Sequence, residues 1–163
     1  MSRISVPPLY AASVPVFLHY IERMEHLAAC AGDALYDARI ADAFPASQQF
    51  ATAAMFAVRI ACPLAGRGVE RLDGPLPDRL AQARGILIAL DPEAFAGAGG
   101  RRIRHRAGFA DLDQSGAEFL TLYGLPNFFF HVTMGYAALR AAGVAIGKAD
   151  FDGLHAYPAG FAF

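Results

Sequence analysis

Leu125-Pro126-Asn127-Phe128-Phe129-Phe130-His131-Val132-Thr133-Met134-Gly135-Tyr136-Ala137-Ala138-Leu139-Arg140-Ala141-Ala142-Gly143-Val144 is the stretch whose reading decides the fold. Its spacing predicts a helix over 125–143. Proline suits a first helical turn, because the N–H it lacks would have no partner there. Glycine just past the last periodic residue is a common stop. Asn127 and His131 are four apart, so their side chains lie one above the other on one face. Met134, Gly135, Ala138 and Ala142 continue that face as small or soft residues. Phe128, Phe129, Val132, Tyr136 and Leu139 cover most of the remainder. A helix apolar nearly all round is expected to be buried. One imidazole then sits among apolar neighbours, with an amide one turn before it.

Working outward, three more amphipathic helices are legible. The first starts around 10–15 and runs to 31, with Ser13 as its expected cap and Pro15 in its first turn. Val16, Tyr20, Met24, Leu27 and Cys30 form its stripe, and Gly32 ends it. Asp42-Ala43-Phe44-Pro45 breaks the chain and opens a second helix over 45–64, stopped by Pro63, Gly66 and Gly68. After a Gly-Pro linker, a third spans 78–90 with Leu80, Ala83, Leu87 and Leu90 on one face. Alternation over 101–112, with Gly108 before Phe109, predicts a short hairpin. Residues 115–123 read as a helical lead-in to the last helix, kinked at Gly124-Leu125-Pro126. Residues 144–163 read as mostly irregular. Four main helices and a small β-hairpin before the last one define an all-α four-helix bundle. No repeat or boundary divides the chain, so 1–163 is one domain.

Hydrophobic residues make up 55% and charged residues 18% of the 163, more apolar than an average soluble domain. That excess predicts a second buried surface, a homodimer interface. The formal net charge of −1 gives no broad basic field for nucleic acid. The run Arg101-Arg102-Ile103-Arg104-His105-Arg106 is the exception, read as a solvated hairpin face. Cys30 and Cys62 form no disulfide framework or zinc knuckle, and both read as reduced core residues. No run reaches membrane length without a charge, Gly or Pro, so a cytoplasmic protein without membrane attachment is expected.

The pattern resembles the DinB/YfiT-like superfamily of four-helix bundles, and within it an uncharacterised bacterial family. The residues that carry the resemblance are Leu9-Tyr10-Ala11-Ala12-Ser13-Val14-Pro15-Val16-Phe17, Ala38-Arg39-Ile40-Ala41-Asp42 leading to Phe44-Pro45 and Gln49, the Leu125-Pro126-Asn127-Phe128-Phe129-Phe130-His131-Val132 run, and Gly147-Lys148-Ala149-Asp150-Phe151. Metal-binding members take one His from the second helix and two from a His-x-x-x-His on the last. By that resemblance His131 stands at the second His of the pair, Asn127 at the first and Gln49 at the helix-two position. The chain thus departs from three histidines at two places, and Met55 stands where close relatives carry an acid.

Two readings follow. In the first, Gln49, Asn127 and His131 are a buried polar cluster or orient a small apolar ligand in a pocket lined by Tyr10, His19, Tyr20, Phe56 and Tyr136, since buried amides and imidazoles left unpaired are costly. In the second, implied by the resemblance, the chain is a metal-dependent enzyme, a thiol-dependent transferase or hydrolase. His131 is then the principal ligand of a zinc or nickel ion, with Asn127 and Gln49 auxiliary. No phosphate loop, nucleophile elbow or acid pair is present.

Overall fold

The computed structural model describes residues 6–161. A single turn, α1 (Pro8–Ala11), precedes α2 (Val14–Ala31), which keeps Pro15 in its first turn. Ser13 does not cap α2. Its hydroxyl instead donates back to the Leu9 carbonyl at 2.5 Å, tying the two helices at their joint. Val14, Phe17, Ile21, Met24 and Leu27 are fully buried at spacings of three and four, which is the face a helix presents to a core. Gly32 ends α2 at φ +53°, a conformation glycine adopts without a Cβ penalty.

After the turn α3 (Ala34–Asp37), α4 (Ala46–Leu64) runs through the centre. Phe50, Ala53, Ala54, Ala57, Val58, Ile60, Ala61 and Leu64 are all fully buried. The alanines let neighbouring helices come close, and α4 packs chiefly against α5 (Leu76–Ile88) and α7 (Leu125–Ala141). Strands β1 (Arg102–Ala107) and β2 (Ala110–Ser115) pair antiparallel from Arg102↔Ser115 to Ala107↔Ala110, turning at Gly108-Phe109. The hairpin therefore reaches three residues beyond the predicted 101–112.

Ser115 and Glu118 form a reciprocal capping box that starts the helical turn α6 (Gly116–Glu118). The chain then widens into a π-helical stretch, Phe119–Gly124, where the Leu125 N–H reaches back to the Leu120 carbonyl. This wide turn delivers the chain into α7.

Three expectations are corrected. The last helix is not buried on all sides: Pro126, Phe130 and Thr133 form an exposed edge, and Asn127, His131 and Met134 are half-buried beside it. Cys30 is exposed, whereas Cys62 is buried as expected. The segment after Gly143 is not wholly irregular, because α8 (Lys148–Asp152) forms there and packs on α2. No helix among the described residues is long and apolar enough to cross a membrane.

Candidate functional site

Gln49 on α4 and His131 on α7 meet at the helix interface, with His131 Nδ1 2.7 Å from Gln49 Oε1. Gln49 is only 3% exposed, and its amide Nε2–H points toward the Phe44 carbonyl. That second contact, at 3.5 Å, accompanies the orientation in which Oε1 faces the ring. Because Oε1 accepts, Nδ1 must carry the hydrogen, and the neutral ring presents a lone pair at Nε2. Among the described residues Nε2 has no hydrogen-bond partner. The Phe56 ring stacks on the imidazole at 5.4 Å and the Phe130 ring meets it edge-on at 5.1 Å. Burial lowers the pKa of His131 below its ordinary value, because a low-polarity surround disfavours the imidazolium.

Asn127 takes a different part. Its Nδ2 donates to the Tyr123 carbonyl at 2.7 Å, one turn back. The amide thus serves the widened turn that leads into α7. The five residues expected to line a pocket divide among three neighbourhoods. Phe56 is with His131. Tyr20 and Tyr136 both pack on Phe151 of α8, and His19 lies edge-on to Tyr20. Tyr10 meets Phe95 at the start of the chain.

A second polar concentration lies between α2 and α8. His19 Nε2 is 2.7 Å from the Asp152 carbonyl, and Arg23 Nε donates to the Asp150 carbonyl at 3.2 Å. His26 Nε2 lies 2.8 Å from Asp150 Oδ1 and 3.7 Å from Cys30 Sγ. The Leu154 and His155 backbone N–H groups hold the Asp152 carboxyl down at about 2, and the His155 ring also hydrogen-bonds it. Sequence reading passed over this cluster. His26 and Cys30 did carry a signal, a one-turn spacing of two donor side chains, but their partners sit in a segment read as irregular.

The basic run is half neutralised, with three of its four arginines sharing two carboxylates. Arg102 and Arg104 pair with Asp113, and Arg106 with Asp111, across the hairpin. His105 lies against Phe119 and Tyr123 and bonds Gln114 Oε1 at 2.7 Å. Its Nδ1 is buried without a partner among the described residues. His105 also helps line a hollow of about 220 Å³ with Arg59 and Tyr123.

A bundle of long helices with one small antiparallel hairpin matches the DinB-like helical fold. The chain is similar to the crystal structure of a DinB family member protein from Shewanella denitrificans, at 26% identity and a TM-score of 0.81 over 93% of this chain and 95% of that one. Residues 9–152 match the family described as a domain of unknown function, DUF1993, and the chain belongs to that family. No curated protein matches it.

The donor set at α4–α7 does not fit a divalent transition metal. It offers one imidazole nitrogen and two neutral amide oxygens, one of which, Gln49 Oε1, is already engaged with the ring. None of these groups is anionic, whereas such ions are held by several imidazole, thiolate or carboxylate donors.

Proposed function

We propose that this protein is a DinB-like bundle whose α4–α7 site binds a small apolar molecule carrying one hydrogen-bond donor. One observation supports the reading above the rest: the Gln49 contact orients His131 so that its free Nε2 is an acceptor. The rings of Phe56 and Phe130 supply the apolar surround, and the lowered pKa keeps the imidazole neutral near pH 7. A hydroxyl or amide N–H fits that acceptor, whereas a carboxylate does not.

The test is nuclear magnetic resonance of ring-labelled protein with phenol as the probe. The free protein is expected to show the Nδ1–H tautomer of His131, and phenol is expected to shift the Nε2 resonance. The opposite tautomer, or an Nε2 resonance indifferent to phenol, would overturn the reading. Gln49→Leu is expected to release the tautomer and abolish the shift. The pH dependence has a definite sign. The unfolded ring titrates near 6.5 and the folded ring lower, so between the two values the unfolded chain binds the extra proton. This contribution to stability is complete above 6.5 and is lost as pH falls through the folded value. His131→Phe should remove it.

The site is also proposed to adjoin a homodimer face. Leu122, Pro126 and Phe130 recur at four-residue spacing, with Leu122 69% and Phe130 56% exposed, and they continue the apolar surface past His131. Sedimentation at micromolar concentration is expected to give a dimer mass, and Phe130→Glu a monomer with unchanged circular dichroism. A wild-type monomer would exclude the interface.

A further inference from the structure

We infer that His26, Cys30 and Asp150 form a binding site for one thiophilic divalent cation, zinc foremost, on the α2–α8 seam. The three donor atoms, an imidazole nitrogen, a sulfur and a carboxylate oxygen, all lie within 4.8 Å of one another. Two come from a single face of α2, one turn apart, and the third from α8. That arrangement pairs a local chelate with one distant ligand, the usual economy of a small zinc centre.

The carboxylate is aimed by its surroundings. Asp150 Oδ2 accepts the Gly147 backbone N–H at 2.8 Å, which leaves Oδ1 turned toward His26. The whole of α8 is pinned to α2 by Arg23 on the Asp150 carbonyl and His19 on the Asp152 carbonyl. The carboxylate is therefore placed before any ion arrives, and only exposed side chains need to adjust.

Two of the three donor separations are near what the ion demands, and the sulfur–oxygen one lies within 4.8 Å. Zinc bonds of about 2.0–2.3 Å in a tetrahedron put ligand atoms roughly 3.4–3.6 Å apart. The sulfur–nitrogen separation is 3.7 Å, and the nitrogen–oxygen separation of 2.8 Å is that of a hydrogen bond. The ion takes the place of the hydrogen in that bond, and the two groups part by about half an ångström. His26 turns the lone pair of Nε2 to the ion, and the thiol gives up its proton to buffer as the thiolate binds.

Charge separates this cluster from the α4–α7 pair. A thiolate and a carboxylate together balance a dication, and sulfur favours zinc, cadmium or cobalt over magnesium and calcium. A fourth position remains for water, because Cys30 and His26 are exposed.

The experiment is a cobalt(II) titration of untagged, reduced, chelator-treated protein, followed by near-ultraviolet absorption and zinc competition. One equivalent per chain is expected, with a thiolate-to-cobalt charge-transfer band that zinc removes. Cys30→Ser is expected to abolish the band, and His26→Gln or Asp150→Asn to weaken binding at least tenfold. Circular dichroism should be unchanged in each variant. His131→Phe should bind as wild type does, which separates this centre from the α4–α7 site. Absence of saturable uptake would overturn the proposal. So would uptake without the band, a band that survives in Cys30→Ser through Cys62, or full affinity in Asp150→Asn.

Discussion

Gly135→Ala is expected to lower the melting temperature and to loosen the contact between His131 and Gln49. A Cβ on residue 135 would stand 2.4 Å from Phe50 Cε1 and 2.7 Å from Cδ1, where ordinary carbon contacts begin near 3.5 Å. Phe50 is fully buried on α4, so its ring has no solvent side to retreat to. Two effects compete. Alanine is favoured over glycine inside a helix by about 1 kcal/mol. Overpacking a filled core costs about 1–3 kcal/mol, sometimes more. With a ring edge to displace by about 1 Å, the second effect wins, for a net loss of about 2 kcal/mol. At this chain length that is a fall of roughly 4–8 °C. Gly135→Leu is expected not to fold.

The comparison that makes the result interpretable is Gly85→Ala on α5, where a Cβ meets nothing within 4 Å. Only the propensity term remains there, so that variant should be more stable than wild type, by up to about 1 kcal/mol. If both alanines stabilise, Phe50 yields easily and the close helix contact is not a constraint. Gly135 lies one turn beyond His131 on α7, and Phe50 follows Gln49 on α4. Any separation of the helices at 135 therefore lengthens the His131–Gln49 bond as well. Release of the Nδ1–H tautomer should accompany the loss of stability.

That coupling marks what sequence could and could not carry. Periodicity located α2, α4, α5 and α7 to within a few residues, because each has an apolar face at helical spacing and a proline or glycine near an end. The resemblance to a DinB-like uncharacterised family is borne out by the family match over 9–152 and by the similar crystal structure. It also drew attention to Gln49 and His131 together, although they stand far apart in sequence. Gly135 was visible only as a small residue on the right face. That it touches Phe50 depends on how two helices cross, which one-dimensional spacing does not encode.

Asn127 shows the same gap. Its spacing from His131 was read correctly, but the π-helical turn before α7 supplied a nearer carbonyl, that of Tyr123. Cys30 looked like a core residue because it continues the stripe of α2. The buried face runs through Phe17, Ile21, Met24, Leu27 and Ala31 to the end of the helix, and Cys30 lies beside it rather than on it. The α8 segment escaped because five residues carry too little periodicity to read, although its Gly-Lys-x-Asp-Phe motif was noticed. Asp150 in that motif, three residues after Gly147, both caps its own helix and faces His26.

Gly116→Ala is expected to be more damaging than Gly135→Ala, although Gly116 sits in a helix of three residues. A Cβ there would lie 2.0 Å from the Ala98 carbonyl oxygen and 3.1 Å from Leu64 Cδ2. The first obstacle is backbone, which no rotamer change can move. Ala98 is itself 1% exposed, and its carbonyl already accepts the Arg101 N–H at 3.1 Å. Moving it breaks that bond. Moving residue 116 instead breaks the bond from the Gly116 N–H to the Arg101 carbonyl at 2.8 Å. Arg101 also hydrogen-bonds the Leu64 carbonyl at the end of α4, so this corner joins the hairpin to the bundle.

A lost buried hydrogen bond costs about 1–3 kcal/mol and overpacking a similar amount. A single-residue helical propensity gain of at most about 1 kcal/mol cannot offset both. The expected loss is about 3 kcal/mol or more, read by chemical denaturation. Gly99→Ala, next to Ala98 with nothing within 4 Å of its Cβ, should change stability by no more than about 0.5 kcal/mol. Equal stability of the two variants would mean that the hairpin is not seated through Gly116. The consequence for the site is indirect. The chain passes from this corner through Phe119–Gly124 into α7, so a hairpin lifted off Ala98 changes the point from which the last helix, with His131, is launched.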